Sequence, residues 1–573
     1  MQKNWKIAEP PDHSAVSSWG STLHPLVARI LSCRGIGSAE EVSLFLTPAL
    51  GNMLDPFLLK GMEQAVIRLI SALQAGETIC IYGDYDVDGI TGTALLVSFL
   101  RTVGCTCHYF IPNRFDDGYG LSLEALERII ETVGATLIIS VDCGITSIDE
   151  ALFCRQRGID LIITDHHAPR EVIPEALAVI NPLQPGCAYP FKALAGVGVA
   201  FNLLIALRAT LRKKGIFGAD SGPDLRQWLD LVTLGTIADV VPLIGQNRIY
   251  AFHGLRQLSG ATKTGIESLK QVAGISGTVS CGQVGFRLAP RLNAAGRMES
   301  AVPGVELLLC SDARETLQIA TDLDAANAER QAVERRIFEE AVAMVEASGC
   351  YPTCRSIVLA SDTWHQGVIG IVASRMVERY HRPTILIALT GDGCAKGSGR
   401  SIPGFHLLDA LYPCSLHLER FGGHRYAAGV GLKEAMVDTF ATAFETESFR
   451  LLGEDELIPC LNVDAEAEPG EVTLELAFEL KKLEPFGVGN PEPVLMMRGL
   501  AVLERRVVGE GHLRLRLELD GHVFNAIAFR MADRDTTGKI DIAFFPEINE
   551  WKGSTSLQLR IKDLRPSEYE HAA

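Results

Sequence analysis

Three aspartates stand at alternate positions in the segment GDYDVDG, which directly follows the apolar run TICIYG. They are Asp84, Asp86 and Asp88. If the segment stays extended, the three carboxylates share one side, where they repel one another and raise one another's pKa. A bound cation is the natural compensation for this repulsion. The spacing therefore predicts a metal site, with a polar turn after a strand as the alternative, whereas an EF-hand fits less well because its later Glu is missing.

Ligand-type residues also follow the next two apolar runs. Asp142 follows TLIISV, and Asp165, His166 and His167 follow DLIIT. Because the carboxyl ends of parallel strands meet in one crevice, we expect these side chains to lie together. Adjacent residues of an extended backbone point in opposite directions, so one His is expected to bind an ion and the other to face substrate or support a ligand.

A further carboxylate, Asp239, lies among apolar residues in the segment LVTLGTIADVVPL. A buried unpaired carboxylate is costly, so Asp239 needs a cation, an Arg or a helix N-terminus. Oxygen ligands with a single imidazole suit Mn²⁺ or Mg²⁺ better than zinc. Two such ions a few Å apart can activate water and stabilise an in-line displacement at phosphorus. The whole set of residues therefore predicts a metal-dependent phosphoesterase.

Composition restricts the classes of protein to which the chain can belong. Its 53 Lys and Arg against 70 Asp and Glu give a net charge of −17, the wrong sign for coating nucleic acid but compatible with a local basic groove. The 14 cysteines are scattered and indicate reduced thiols, with Cys105 and Cys107 or Cys350 and Cys354 as disfavoured metal pairs. No apolar run approaches the ~20 residues of a membrane span, and no signal pattern opens the sequence, so we expect a cytoplasmic protein without membrane association.

The order of patterns along the chain predicts three globular units of an α/β protein. From about residue 67 to 243, short apolar runs alternate with helical periodicity, which is typical of a parallel sheet covered by helices. The segment 312–347 lacks Gly and Pro, so it predicts one long helix that bridges two lobes. A second α/β unit begins at SIVLASD. The tail from about residue 459 alternates with a period of two, which predicts a small all-β barrel of the OB type.

The set DYDVDG, VDCG, DHH and GTIADVVPL resembles the DHH phosphoesterase superfamily. Other motifs resemble the RecJ family of single-strand-specific DNA exonucleases, in matching order over nearly the whole chain. They are IPNRFDDGYG, LAGVGVAF, APRLNAAGRM, WHQGVIGIVASR, KGSGRS, GGHRYAAG and PFGVGNPEP. The domains that the resemblance implies are an N-terminal segment at 1–55, a DHH catalytic domain at 56–310, a connecting helix at 311–348, a DHHA1-like substrate-binding domain at 349–450 and an OB-fold-like nucleic-acid-binding domain at 459–573.

The activity that the resemblance implies is more specific than anything the residue pattern predicts. It is a 5′→3′ exonuclease that hydrolyses terminal phosphodiesters of single-stranded DNA by a two-metal mechanism and releases 5′-mononucleotides, in DNA recombination and repair. The implied cofactors are two divalent cations, Mn²⁺ or Mg²⁺. The implied partners are single-stranded DNA, the single-strand-binding protein and a RecQ-type helicase, and we expect a monomer.

The resemblance also implies a ligand set in which Asp142 bridges two ions. The superfamily's pyrophosphatases have a His four residues before Asp86, where this chain has Tyr82. Because Tyr82 is a poor ligand, the first site is expected to be weaker or to be completed by Asp84. The other implied ligands are Asp86 for the first ion and Asp88, His166 and Asp239 for the second.

Two histidines are candidates for neutralising the charge that develops during hydrolysis. One is His167, beside the predicted ligands, and the other is His424, in the motif GGHRYAAG, which is similar to the substrate-binding motif of the second lobe. A Gly-rich turn is the alternative for the second motif. Together with Asp142, these residues form the predicted catalytic set.

The motif KGSGRS supplies the side chains of Lys396, Ser398 and Arg400 among glycines that let backbone N–H groups approach an anion. We therefore expect Ser398 and Arg400 to form a pocket for a 5′-terminal phosphate, with an ordinary charged loop as the alternative. Further phosphate-binding candidates, each of which could equally be a structural ion-pair partner, are Arg114, Arg291 and Arg297.

Two other functions remain open on the sequence. One is an enzyme of the same superfamily that acts on short substrates, such as a nanoRNase, a cyclic-dinucleotide phosphodiesterase or a pyrophosphatase. The other is a catalytically inactive scaffold. The predicted barrel argues against the first, because short substrates need no third domain, and the intact set of acids and histidines argues against the second.

Overall fold

The computed structural model describes residues 3–9, 23–113, 117–118, 120–217, 222–260, 263–551 and 553–568. The chain begins with a short strand and two helices. They are β1 (Asn4–Ile7), α1 (Pro25–Cys33) and α2 (Ala39–Leu46). Helix α2 begins with a capping box, in which Ser38 and Glu41 each accept a hydrogen bond from the other's backbone N–H.

Five parallel strands follow, and the three apolar runs predicted as strands are all among them. The strands are β2 (Thr78–Gly83), β3 (Thr106–Phe110), β4 (Leu137–Val141), β5 (Asp160–Thr164) and β6 (Ala178–Ile180). Their order in the sheet is β3-β2-β4-β5-β6. From β2 the chain first adds β3 on one side of the sheet and then adds β4, β5 and β6 in succession on the other. The crevice at the carboxyl ends of these two strands is a topological switch point, where ligands bind in α/β sheets.

Helices cover both faces of this sheet, as parallel sheets require. The helices are α3 (Met62–Ala75), α4 (Val87–Thr102), α5 (Leu123–Val133), α6 (Ile148–Gln156), α7 (Gly196–Lys213), α8 (Leu229–Ala238), α9 (Gly245–Ser259), α10 (Thr264–Val272), α11 (Cys281–Gln283), α12 (Ala289–Met298) and α13 (Val302–Leu309). The main core of the protein lies between the sheet and helices α3, α4, α7 and α8.

The long helix predicted from composition is confirmed as α14 (Ala313–Ser348), with 36 residues. Asp312 caps its N-terminus by accepting hydrogen bonds from the backbone of Arg314 and Glu315, and Gly349 ends it at a φ of 60°. At a rise of ~1.5 Å per residue the helix is about 54 Å long, so it connects two separate lobes. Among the described residues we find no helix with the length and apolar character needed to span a bilayer.

The second lobe is an α/β unit around a mixed sheet. Its elements are β7 (Ile357–Ser361), α15 (Ile369–Tyr380), β8 (Thr384–Leu389), β9 (Cys394–Arg400), α16 (Leu407–Leu411), β10 (Arg420–Gly423), β11 (Ala427–Lys433) and α17 (Val437–Leu451). The strand order is β10-β11-β9-β8-β7, in which the pair β7 and β8 is parallel. Strand β9 is central, and it carries the motif KGSGRS across the middle of the lobe.

The third unit is a closed all-β barrel, which confirms the predicted OB-like fold. Its elements are β12 (Cys460–Val463), β13 (Ala465–Glu466), α18 (Leu474–Lys481), β14 (Leu495–Val508), β15 (His512–Leu519), β16 (His522–Ala528), β17 (Lys539–Trp551) and β18 (Ser554–Pro566). Pairing of β14 with both β15 and β17 closes the barrel. Alternate residues Leu513, Leu515 and Leu517 point into its core, as the period of two requires.

The N-terminal elements pack against this barrel, although they are far from it in sequence. Strand β1 pairs in parallel with β12, and the indole of Trp5 donates a hydrogen bond to Asp563 over 2.9 Å. Leu26, Ile30 and Leu31 of α1 belong to the same buried cluster as the barrel interior. Removing the barrel would therefore expose the apolar face of α1 to water.

Candidate metal centre and substrate cleft

The segment after β2 does not stay extended, so that part of the sequence-based expectation is wrong. Asp86 caps α4 by accepting hydrogen bonds from the backbone of Asp88 over 2.9 Å and of Gly89 over 3.1 Å. The chain enters the helix there because an N-cap aspartate satisfies backbone N–H groups that have no partner within the helix. Asp84 therefore lies at the strand end, while Asp86 and Asp88 lie in the first turn of α4. The helical turn still keeps the three aspartates at one edge of the sheet.

Asp142 lies at the carboxyl end of β4, next to β2. Its backbone is left-handed, with a φ of 63°, and its N–H donates to the carbonyl of Thr164 over 2.9 Å. A Cβ at Gly196 would lie 2.7 Å from Oδ1 of Asp142, so glycine is needed there for close approach. Burial, and then the charge of Asp88, raises the pKa of Asp142 well above its usual value.

Asp88 is held by the beginning of α7. Its two carboxylate oxygens accept hydrogen bonds from the backbone of Gly196 over 2.6 Å and of Val197 over 2.8 Å. The helix N-terminus favours the ionised carboxylate, but burial and Asp86 outweigh it and raise the pKa of Asp88 to about 7.

Both histidines of the DHH motif face Asp142, which corrects the expectation that they point in opposite directions. That expectation required an extended backbone, and β5 ends at Thr164. Nε2 of His166 is 3.1 Å from Oδ1 of Asp142, Nδ1 of His167 is 3.9 Å from the same atom, and the two ring centres are 4.5 Å apart. Burial, and then His167, lowers the pKa of His166 to about 4, so this imidazole is neutral, the form that binds metal ions.

Asp165 organises the two histidines from behind. Its carboxylate accepts hydrogen bonds from the backbone N–H groups of His166, His167 and Ile145, and its Oδ1 is 2.8 Å from Nδ1 of His167. The contact with Asp165 engages Nδ1 of His167, so Nε2 is the ring nitrogen that Asp165 does not hold. The sequence predicts that Asp165 lies in this crevice but assigns it no role, whereas the structure shows that it holds His167.

Asp239 completes the cluster from a different helix. It follows α8 directly, at the helix C-terminus, so its own helix offers it no positive end. Its Oδ2 is 3.5 Å from Nε2 of His166. Burial, and then Asp88, raises the pKa of Asp239 well above its usual value. The negative end of α8 disfavours its charge further, so only a positive partner compensates it.

The donor atoms of this cluster fit divalent cations. Oδ1 of Asp142, Nε2 of His166 and Oδ2 of Asp239 are buried polar atoms without a hydrogen bond in the described part of the chain. Such atoms are costly unless something binds them, and oxygen ligands with imidazole suit Mn²⁺ or Mg²⁺. The assignment of each ligand to one ion stays a prediction. Donor atoms lie within 4.8 Å of one another in three groups, namely Asp142, His166 and His167; Asp88, His166 and Asp239; and Asp84, Asp86 and Asp142.

Tyr82 is not part of this centre. Its side chain is fully buried on the other face of the sheet, and its hydroxyl donates to the carbonyl of Gly120 over 3.0 Å. Burial raises the pKa of the Tyr82 hydroxyl, so it stays protonated at neutral pH. The position that carries a His in the pyrophosphatases therefore has a structural role here.

The raised pKa of Asp88 predicts an unusual pH dependence of stability in the metal-free protein. The native state holds the proton up to pH about 7, whereas the unfolded state loses it near pH ~4. This contribution to stability is therefore fully present below pH ~4 and is lost as the pH rises through about 7. In EDTA, we expect the melting temperature of the wild type to fall relative to that of Asp88→Asn between pH ~4 and ~7, because asparagine cannot ionise. Parallel curves for the two proteins would contradict this.

A cavity of 480 Å³ separates the first domain from the second lobe. Tyr85, which lies between two of the site aspartates, and Arg297 form its wall on the first domain, so the cavity adjoins the metal centre. The opposite wall belongs to the motif KGSGRS on β9. It includes Lys396, Ser398 and Arg400.

Glycines bring the two walls together. A Cβ at Gly367 would collide with the carbonyl of Arg297, so the lobes approach closely at that point. A Cβ at Gly370 in α15 would lie 2.8 Å from Oγ of Ser398 and 3.0 Å from the guanidinium of Arg400. Nη1 of Arg400 donates to Oγ of Ser398 over 3.1 Å. The Ser and the Arg are therefore held as one polar group against the first turn of α15.

The remaining predicted residues are not among those that line this cavity, or they lie outside the described residues. Arg291 pairs with Asp324 of α14 over 2.8 Å, which is the structural alternative for this residue. His424 lies exposed in the turn between β10 and β11, and its catalytic role stays a prediction. Arg114 lies outside the described residues.

Asn293 of α12 is a residue of the site that the sequence does not predict. Its Oδ1 accepts a hydrogen bond of 3.1 Å from the backbone N–H of Val87, between two of the candidate ligands. Three residues further on, a Cβ at Gly296 would lie 2.8 Å from the carbonyl of Tyr85. Helix α12 thus contacts and supports the segment 84–88, which carries the three aspartates and is called the aspartate segment below. Its motif APRLNAAGRM was the only sequence signal for this contact.

A parallel sheet whose switch point holds this cluster of carboxylates and imidazoles, opposite a cavity wall with Lys396 and Arg400, defines a DHH-type phosphoesterase. Family models match the chain as the DHH family, N-terminal domain, at 78–236, as the DHHA1 domain at 353–447 and as the RecJ OB domain at 463–563. The single-stranded-DNA-specific exonuclease RecJ of Dickeya dadantii is 42% identical over 95% of this chain and 96% of its own length. The chain belongs to the RecJ family.

Solved structures of a relative have the same fold and contain metal ions. RecJ of Thermus thermophilus in complex with Mn²⁺ is 33% identical and matches 99% of this chain and 80% of its own, with a TM-score of 0.85. The same protein in complex with Mg²⁺ is 31% identical in the aligned part and matches 99% of this chain and 79% of its own, with a TM-score of 0.79. These complexes agree with the cations for which the donor atoms of this chain are suited.

Proposed function

We propose that the protein is a metal-dependent exonuclease specific for single-stranded DNA, which it degrades in the 5′→3′ direction to 5′-mononucleotides. The observation that carries the proposal is the pairing of two surfaces across one cleft. Buried carboxylates and imidazoles lie at the sheet edge, and Arg297, Lys396 and Arg400 line the adjoining cavity. The relatives named as single-stranded-DNA-specific exonucleases support the choice of substrate.

Bound divalent cations supply a Lewis acid for the scissile phosphate and lower the pKa of water. In this proposal, the cluster around Asp142 holds them because its buried donor atoms face one another. The proposed ligands are Asp86 and Asp142 for one cation, with Asp84 as a further candidate, and Asp88, Asp142, His166 and Asp239 for the other.

His167 is the proposed source of positive charge beside the scissile phosphate. Burial lowers its pKa, but the hydrogen bond to Asp165 and the nearby carboxylates outweigh burial, so the net shift is upward. A protonated imidazole neutralises charge that develops on a phosphate oxygen. Because Asp165 holds Nδ1, the Nε2–H of His167 is the group able to donate to the substrate.

The proposal is tested by comparing cleavage of a long single strand, its duplex and a dinucleotide, with and without Mn²⁺. We expect Mn²⁺-dependent release of mononucleotides from the single strand. A preference for the dinucleotide would support a short-substrate phosphodiesterase instead. No hydrolysis of any of the three would support an inactive scaffold.

The barrel, proposed to span 459–573, is the second surface that binds the DNA strand in this proposal. Arg506 on β14 and Arg514 on β15 are cross-strand partners, and both are exposed. Like charges directly opposite each other destabilise a sheet unless an anion such as a phosphate lies between them. The arrangement therefore favours contact with the DNA backbone.

Replacing both Arg506 and Arg514 with alanine is expected to weaken binding to long strands and to reduce the salt dependence of log K by about 1–2, one for each lost phosphate contact. Cleavage of a dinucleotide should stay unchanged, because so short a substrate does not reach the barrel. Substitution is preferable to deletion here, since deletion exposes α1. Equal losses on long and short substrates would contradict a separate binding role.

We also propose a cellular context for this activity. Family resemblance suggests action in the cytoplasm during recombination and repair, as a monomer, together with the single-strand-binding protein and a RecQ-type helicase. Co-purification of the full chain with each purified protein, followed by sizing, tests these associations.

A further inference from the structure

Phe286 lies on the surface of the first domain with a relative exposure of 86%. A single exposed apolar residue is common and carries no argument alone. Its surroundings are unusual, however. The backbone at Val284–Leu288 is a π-helix, a rare conformation that occurs mostly at functional sites.

Two residues shortly before the ring carry no side chain. Gly282 and Gly285 precede Phe286 by four residues and one residue, and a Cβ built at Gly285 would meet no atom of the described residues within 4 Å. Because a side chain would fit at Gly285, crowding does not explain the glycine there. Helix propensity does not explain it either, since glycine is unfavourable in a helix. The exposed ring and the open space at Gly285 leave room for a planar group to lie against the phenyl ring.

The helix that carries Phe286 leads to the metal centre. The π-helix continues directly into α12, on which Asn293 and Arg297 lie at the α-helical spacing of four. Asn293 accepts the N–H of Val87 in the aspartate segment, and Arg297 lines the cavity. Phe286 is therefore about 10 Å along the helix axis from the residue that contacts the aspartate segment.

Charge beside the ring suits a nucleic-acid strand. Arg287 is exposed, and its guanidinium donates to the backbone carbonyls of Ala273 and Gly274, which are neutral acceptors. A cation next to an open aromatic surface matches a phosphate followed by a base, whereas an apolar protein partner would gain nothing from the charge.

We propose that Phe286 stacks on a base of the single strand a few nucleotides from the cleaved end, and so holds the strand in line with the metal centre. This contact rests on the proposed function, since it needs a single strand in the cleft. With this contact, α12 and the preceding π-helix form part of the binding site for the strand. Arg287 then contacts the adjoining phosphate.

The test compares Phe286→Ala, Phe286→Trp and the control Phe57→Ala, which removes another exposed phenyl ring of the same domain. Affinity for a labelled oligothymidylate is measured with Ca²⁺ in place of Mn²⁺, and cleavage of a dinucleotide is measured with Mn²⁺. Losing one stacked base weakens binding about 5- to 100-fold, which we expect for Phe286→Ala alone. Phe286→Trp should bind like the wild type, and its indole fluorescence should be quenched by the strand.

Dinucleotide cleavage by Phe286→Ala should equal that of the wild type, because the substrate ends before the ring. Failure of the proposed function is recognised separately, as a wild type that neither binds nor cleaves single strands. If the wild type does both, unchanged affinity in Phe286→Ala overturns the stacking contact and leaves the surface for a protein partner. Loss of dinucleotide cleavage in Phe286→Ala also overturns it, since the residue would then support the fold of the centre.

Discussion

Asp142→Ala is expected to abolish hydrolysis of single-stranded DNA, with less than about a tenth of wild-type activity left at saturating Mn²⁺. Asp142 belongs to two of the three groups of donor atoms, one with Asp84 and Asp86 and the other with His166 and His167. Removing it therefore takes a ligand from both proposed cations at once. Steady-state rates on a labelled single strand measure the loss.

Folding of the variant must be checked independently of activity. Asp142 is buried among other carboxylates and its pKa is raised by burial and by Asp88, so its charge destabilises the metal-free protein. In EDTA at neutral pH we expect Asp142→Asn to melt no lower than the wild type, and added Mn²⁺ to raise its melting temperature less. Asp149→Ala, an exposed substitution on α6, is the matched control and should leave both activity and the response to Mn²⁺ unchanged. Activity above a tenth of wild type in Asp142→Ala would disprove the bridging role.

Arg400→Ala is expected to remove the preference for 5′-phosphorylated strands. Two cations can accept a strand from either direction, so something else must recognise the end, and a terminal phosphate carries more charge than an internal one. Arg400 and Ser398 are joined by a hydrogen bond and line the cavity beside the metal centre. Losing one charge-assisted contact costs ~1.5–3 kcal/mol, or roughly 10- to 100-fold in rate, on the phosphorylated strand alone.

The measurement is the ratio of kcat/KM on 5′-phosphate and 5′-hydroxyl strands of one sequence. In Arg400→Ala this ratio should approach one, while Arg400→Lys should keep part of it, because lysine retains the charge without the two-pronged geometry. Arg420→Ala changes another arginine of the same cavity and serves as the control. A wild-type ratio in Arg400→Ala would exclude this residue as the reader of the terminus, and Arg297 would be tested next.

The elements of the protein could be predicted because their patterns are local. The runs at 78–83 and 160–164 are strands as predicted, and α14 covers the segment without Gly or Pro. The strand ends also predict the place of the metal centre. The carboxyl ends of neighbouring parallel strands lie at the same edge of the sheet, whichever segments connect the strands. Asp142 therefore lies beside β2 for a reason that the sequence contains.

The directions of side chains inside that centre could not be predicted. Asp86 caps a helix instead of continuing the strand, and His166 and His167 face the same carboxylate because β5 ends at Thr164. Local alternation of side chains holds only while the backbone stays extended. The point at which the extended backbone stops depends on hydrogen bonds to distant partners. One of them is the hydrogen bond that the backbone N–H of Gly196 donates to Asp88.

The kinds of element, the edge at which the acids gather and the family all follow from the amino-acid sequence. Which distant segments meet is known only from the folded protein. Asn293 supports Val87 from 206 positions away, and α1 completes the core of a barrel that begins more than 400 residues later. Such contacts leave no periodic signal in the sequence. Burial stabilises any apolar face that fits, whatever its distance along the chain.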